Sequence, residues 1–312
     1  SQNEFNVTSY DKMSILVITL QAFAGMWING FIVSVLCIAW VKKKSVNSNE
    51  KILLFLGCCR FLYLCIAWVY SFLQAIYSSC YQVLQIPRIL TAIQSFFNFS
   101  NIWVSACLCV FYCIKIANFR HVFFTYLKAK IDRIVPWLLL VSVLLSLVVG
   151  TLVYDVAQEV QFGNFNFTSL GNLWKLSIRV DEHFFPIFFT AGLGFAIAFM
   201  AVFFSAFLLL FSLWRHKLKM QTNSMKNHSA DVHIKAIKYI LYFFFLYTIN
   251  FTCLILALVY ATMEANPLMF LVSVVQYAFP GVHSLILIFS NPKLEKTLLR
   301  ALLCARCKAC KK

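Results

Sequence analysis

Seven stretches of the chain are strongly apolar and each is long enough to cross a bilayer: they lie near residues 14 to 41, 52 to 77, 88 to 114, 134 to 154, 184 to 213, 235 to 260 and 268 to 290. A hydrocarbon core of about 30 Å takes about 20 apolar residues as helix. The runs are continuously apolar rather than alternating over about ten residues, so the pattern predicts helices and not barrel strands. The polar residues between them form short connections, with no repeat and no soluble insert. The expectation is therefore an all-α membrane protein in which residues 1–312 form one seven-transmembrane helix bundle with a short basic C-terminal tail over 291–312. The first run lacks a basic leader and a small-residue cleavage site, which argues for a retained span.

Composition supports this pattern: 62% of residues are hydrophobic and 12% are charged, against about half and a quarter in soluble domains. The charge that exists is asymmetric. Of the 27 basic residues, 22 fall in the first, third and fifth connections and the tail, while the remaining connections and the N-terminus are slightly acidic. By the positive-inside tendency the basic segments lie in the cytoplasm, which places the N-terminus outside. These cations face anionic membrane lipid and any acidic partner. Nucleic acid is excluded as a partner because the charge is divided among loops rather than gathered on one basic surface. Two sequons, at Asn6 and Asn166, fall on the expected exterior and make these residues glycosylation candidates.

Twelve cysteines contribute no external staple, since the expected exterior contains only Cys80. Cys304, Cys307 and Cys310 follow a basic amphipathic stretch after the last span. Their juxtamembrane setting makes reversible lipidation the better reading, with unmodified thiols and a metal site, which would need a fourth ligand, as alternatives.

Polar groups inside spans are costly in lipid and usually face the bundle interior, and here they form two layers. The inner layer is Asn29, Arg60, His283 and Ser284. The buried guanidinium needs acceptors, for which Asn29 and the helix 7 backbone opened by Pro280 are candidates. In the outer layer, Gln94, Asn98, Asn101 and Ser105 recur at helical spacing along one face of the third run. Ser273, Gln276 and Pro280 make a similar stripe on the seventh, and Tyr247 and Asn250 face it from the sixth. At 1.5 Å per residue, Gln94, Asn98, Asn250, Ser273 and Gln276 fall within about 15 Å of the outer surface. Interhelical hydrogen bonding would explain any one of them; their common depth points to a pocket for small amphipathic molecules. The spans contain no paired aspartates, Ser/His pair or metal constellation, so no enzyme chemistry and no cofactor is expected.

Several blocks then carry a family resemblance. Phe111, Tyr112, Lys115, Ile116, Ala117, Asn118 and Phe119 fit FYxxKIANF; Ser212, Leu213, Trp214, Arg215, His216 and Met220 fit SLWRHxxxM. His233, Ala236 and Lys238 fit HxxAxK, and Pro280, His283, Ser284, Leu287, Ile288, Asn291, Lys293 and Leu294 fit PxxHSxxLIxxNxKL. Over nearly its whole length the chain resembles the bitter taste receptors, also called taste receptors type 2. The resemblance implies a G protein-coupled receptor of the plasma membrane that responds to small bitter compounds and activates gustducin or another inhibitory-type heterotrimer of α and βγ subunits. It places the coupling surface at Tyr112, Lys115, Arg215, His216, Lys235 and Lys238. Gln94 stands where many members have Trp, Asn250 where many have Tyr and Ala198 where Pro is usual, so ligand preferences of other members do not transfer. A transporter of small solutes is the rival reading, although the chain lacks the internal symmetry such proteins show.

Overall fold

The computed structural model describes residues 9–43, 47–76, 86–117, 121–162, 171–222, 227–260 and 267–309. They form eight helices: α1 (Ser9–Lys43), α2 (Ser48–Ile76), α3 (Ile86–Ile116), α4 (Val122–Phe162), α5 (Gly171–Thr222), α6 (Asn227–Tyr260), α7 (Pro267–Ser290) and α8 (Pro292–Ala309). Among the described residues seven helices are long and apolar enough to span a membrane. Each overlaps one of the seven expected runs.

Two differences from the expectation have physical causes. The fourth helix starts at Val122 rather than near residue 134. Lys128, Lys130, Asp132 and Arg133 end the apolar run but are compatible with a helix, so α4 continues past the lipid-facing segment. Second, the tail is helical from Pro292 to Ala309. Asn291 caps this helix: its carbonyl accepts from Glu295 N at 2.9 Å and its Oδ1 from Lys293 N at 3.0 Å. Pro292 fits the first helical position, where its missing N–H costs nothing.

The third helix is the axis of the bundle. Of its apolar window 72% is buried inside the protein, against 28% for α1, α4 and α6, whose outer faces carry large exposed apolar side chains such as Trp27, Trp137 and Phe245. Such faces are expected where lipid rather than water is the neighbour. Among the described residues four apolar clusters fill the interior, two of them large. One, toward the end carrying the basic connections, joins Leu36, Ile52, Leu56, Val104, Leu108, Ile131, Leu287 and Leu294. The other joins Phe99, Ile102, Phe195, Val202, Tyr247 and Phe279.

Close approach is secured by small residues. A Cβ on Gly281 would lie 3.3 Å from Gly25 Cα, and one on Gly25 would lie 2.6 Å from Leu64. Glycine at both positions lets α1, α2 and α7 pack closely enough for their polar side chains to meet.

Candidate functional site

At the centre of the bundle the Arg60 side chain is fully buried. Its guanidinium fork spends four N–H groups on two helices. Nε donates to Asn101 Oδ1 at 2.7 Å, Nη1 to Ser284 Oγ at 2.8 Å and Nη2 to Ser105 Oγ at 3.1 Å, and Nη2 also bonds His283 Nδ1. The Ser284 hydroxyl passes the network on to Asn29 Oδ1 at 2.8 Å, and Asn29 Nδ2 donates to Gly25 O at 2.8 Å. A side chain on α2 thereby connects α1, α3 and α7. Phe279 lies beneath it, its ring centroid 5.9 Å from Arg60 Cζ, at the range of a cation–π contact.

The acceptors differ from the expectation. Asn29 reaches Arg60 only through Ser284, and helix 7 offers the side chains of Ser284 and His283 rather than a backbone opened at Pro280. The polar stripe of α3 also divides: Asn101 and Ser105 belong to the arginine network, which leaves Gln94 and Asn98 nearer the other end. Because Arg60 can only donate, His283 accepts through Nδ1 and carries its proton on Nε2. That Nε2 has no hydrogen-bond partner and lies in an aromatic sandwich, with Phe243 at 4.7 Å and Phe279 at 5.4 Å between ring centroids.

Toward the end remote from the basic connections, Gln94 lies close to the Tyr63 side chain. The Tyr63 and Tyr277 rings are 6.5 Å apart, and the Tyr277 hydroxyl meets Ser71 Oγ at 2.9 Å and donates to Ala67 O at 3.2 Å. Tyr63, Ser71 and Tyr277 were not among the sequence candidates, because a tyrosine within an apolar helical stripe reads as core. Gln94, Asn98, Ser273 and Gln276 are half-buried, whereas Tyr247 and Asn250 are buried. Tyr247 donates to Ile102 O at 3.4 Å and stacks on Phe199, centroids 6.4 Å apart. It therefore joins α6 to α3 and α5.

At the opposite, basic end lies a cavity of about 430 Å³. Leu108, Tyr112, Leu209, Ile240, Phe243 and Leu287 form its walls, and Asn49, Asn291 and Glu295 form part of its rim. Of the six residues expected at a coupling surface, Tyr112 lines this cavity. Lys115 is paired with Asp132 at 2.7 Å, and Arg215 and Lys238 are exposed. Lysine and arginine are absent from the described lining, so the cavity wall is apolar and the basic groups lie outside it. The side chains of His216, Lys235 and Cys307 lie outside the described residues, as do Asn6, Asn166 and Cys310. Cys304 is exposed on α8.

Comparison with known proteins agrees with the motif blocks. Residues 7–306 match the profile of the family described as taste receptor protein (TAS2R). Taste receptor type 2 member 9 of Homo sapiens is 30% identical over 96% of both chains. Taste receptor type 2 member 8 of Papio hamadryas is 31% identical, covering 95% of this chain and 97% of its own length.

Proposed function

The chain belongs to the taste receptor type 2 family, and on that premise we propose how this bitter taste receptor receives its ligand and where it passes the signal on. Members are G protein-coupled receptors rather than enzymes, and the seven spanning helices make it a multi-pass protein of the plasma membrane. In this reading the basic end faces the cytoplasm and the N-terminus lies outside, as the charge asymmetry favours. Small amphipathic bitter compounds enter from outside and bind among Gln94, Asn98, Ser273 and Gln276, with Tyr247 and Asn250 beneath them. Neutral amides and hydroxyls on apolar walls give few directional bonds, so selectivity is broad and affinity modest.

The observation that carries this reading is the order of polar groups along α3. Asn98 comes first, Asn101 and Ser105 hold Arg60 next, and Tyr112 lines the cavity at the basic end. Their spacing of three, four and seven residues keeps all of them on one helical face, so one rigid element touches both ends of the molecule. An agonist that binds one rotational setting of α3 better than another shifts the population of the far end by its differential affinity. The cytoplasmic cavity then widens to admit the C-terminal helix of a gustducin-type or other inhibitory α subunit, with Lys115, Arg215, His216, Lys235 and Lys238 around its mouth. The glycan acceptors are Asn166 and Asn6, and Cys304, with Cys307 and Cys310, carries lipid.

A G protein dissociation assay in transfected cells, run against a panel of bitter compounds, tests this reading. Activation of an inhibitory-type heterotrimer by at least one compound is expected. Silence toward the whole panel from receptor demonstrably at the surface would refute it.

A further inference from the structure

The first turn of α2 is tied to α8 by a charged pair. Asn47 caps α2: its carbonyl accepts from Lys51 N at 2.9 Å and its own N–H donates to Glu50 Oε2 at 3.4 Å, a reciprocal pattern that fixes the first turn. From that turn Glu50 Oε1 accepts from the Lys293 ammonium on α8. Asp132 of α4 pairs with Lys115 of α3 at 2.7 Å. Lys293 is itself seated by the Asn291 cap of α8.

This turn sits on the rim of the 430 Å³ cavity, where Asn49, Tyr112, Asn291 and Glu295 are all lining residues. Asn49 Oδ1 is buried without a partner and leaves an acceptor unused at the rim. Cohesion does not need these contacts. One turn further in, Ile52, Leu53 and Leu56 already pack with Ile131 of α4 and Leu294 of α8 in a common apolar core. What the polar contacts add is the position of the rim.

We propose that Glu50 and Lys293 form a positioning latch that holds the mouth of the cavity narrow and releases when the G protein engages. The proposal rests on the coupling end assigned above. Glu50 and Lys293 are partly exposed, with 17% and 35% of their side-chain surfaces accessible. Such a pair is weak enough to exchange partners, while a fully buried pair would be locked. Its release frees α8 from α2 at a rim that both helices share with Tyr112 of α3.

The test measures agonist-free GTPγS uptake by a purified inhibitory-type heterotrimer in membranes, normalised to surface receptor, for wild type, Glu50→Gln, Lys293→Met and the exchange Glu50→Lys with Lys293→Glu. Each single variant is expected to raise agonist-free uptake about two- to fivefold, the range set by a partly exposed ion pair, and the exchange to return it to the wild-type level. A purely structural pair would lower surface receptor without raising uptake per receptor. If Glu50→Gln fails to reach the surface, Lys293→Met and the exchange decide. Single variants with wild-type uptake per receptor, or an exchange that leaves uptake raised, would overturn the latch. If wild-type receptor drives no uptake with any compound of the bitter panel, the coupling assignment falls and the latch falls with it; if wild type responds and the variants match it, the latch alone falls.

Discussion

Arg60→Met is the most informative perturbation of the bundle, because it keeps most of the side-chain volume while removing the charge and every donor. Four hydrogen bonds from the guanidinium disappear. Bonds to a charged group are each worth about 1.5–3 kcal/mol, so the gross loss is about 6–12 kcal/mol. Against this, the substitution relieves the cost of keeping an arginine at mid-membrane, about 2.5–3.5 kcal/mol on insertion scales. Ser284 retains its bond to Asn29, whereas the acceptors of Asn101 and His283 are left in the dry interior. The net destabilisation is therefore at least about 2.5 kcal/mol, which corresponds to a thermal midpoint lowered by roughly 5 °C or more. Arg60→Lys keeps the charge but loses the planar fork, and should fare no better. The assay is surface labelling of transfected cells together with a thermal scan of detergent-solubilised receptor. Wild-type surface level and midpoint in Arg60→Met would refute the claim that the arginine network holds α1, α2, α3 and α7 in register.

Other outcomes follow from the same structure. Gln94→Ala and Asn98→Ala should change agonist EC50 by about tenfold, the effect of one or two lost directional bonds, with surface display unchanged in flow cytometry. Gly281→Val should overpack the α1–α7 contact, costing about 1–3 kcal/mol and lowering the thermal midpoint, since a Cβ there already meets Gly25 Cα at 3.3 Å. Asp132→Asn should change stability by less than about 1 kcal/mol, because the Lys115–Asp132 pair is largely exposed; chemical denaturation of purified receptor measures this. Asn166→Gln should reduce a glycosidase-sensitive band shift on a gel, and the double variant Asn6→Gln with Asn166→Gln should abolish it.

What could be read from sequence follows the physics of the solvent. The seven spans were legible because lipid demands an unbroken apolar run for each helix, and the basic connections because charge stays outside the hydrocarbon. The extension of α4 beyond its apolar run was not, since Lys128, Asp132 and Arg133 end a hydropathy signal without ending a helix. Arg60 was legible as a buried cation in need of acceptors, yet its acceptors were assigned to the wrong groups: the regular spacing of Asn98, Asn101 and Ser105 says that they share a face, and not at which depth one role gives way to another. The Glu50–Lys293 pair was invisible, because the two residues are distant in sequence and Glu50 alone reads as part of a helix start. Tyr277 was hidden among the aromatic residues of an apolar chain; only its hydroxyl partners, Ser71 and Ala67, mark it as polar.

The central claim is that a ligand arriving from outside the cell acts through α3 on a docking cavity within it. The direct measurement takes an agonist found in the bitter panel, links it to a membrane-impermeant sulfonated group, applies it to intact cells and records G protein dissociation in wild type and Gln94→Ala. The account predicts a response in wild type from the outside alone, with reduced potency in Gln94→Ala at equal surface expression. A response that requires delivery of the compound to the cytosol, with Gln94→Ala indistinguishable from wild type, would contradict it.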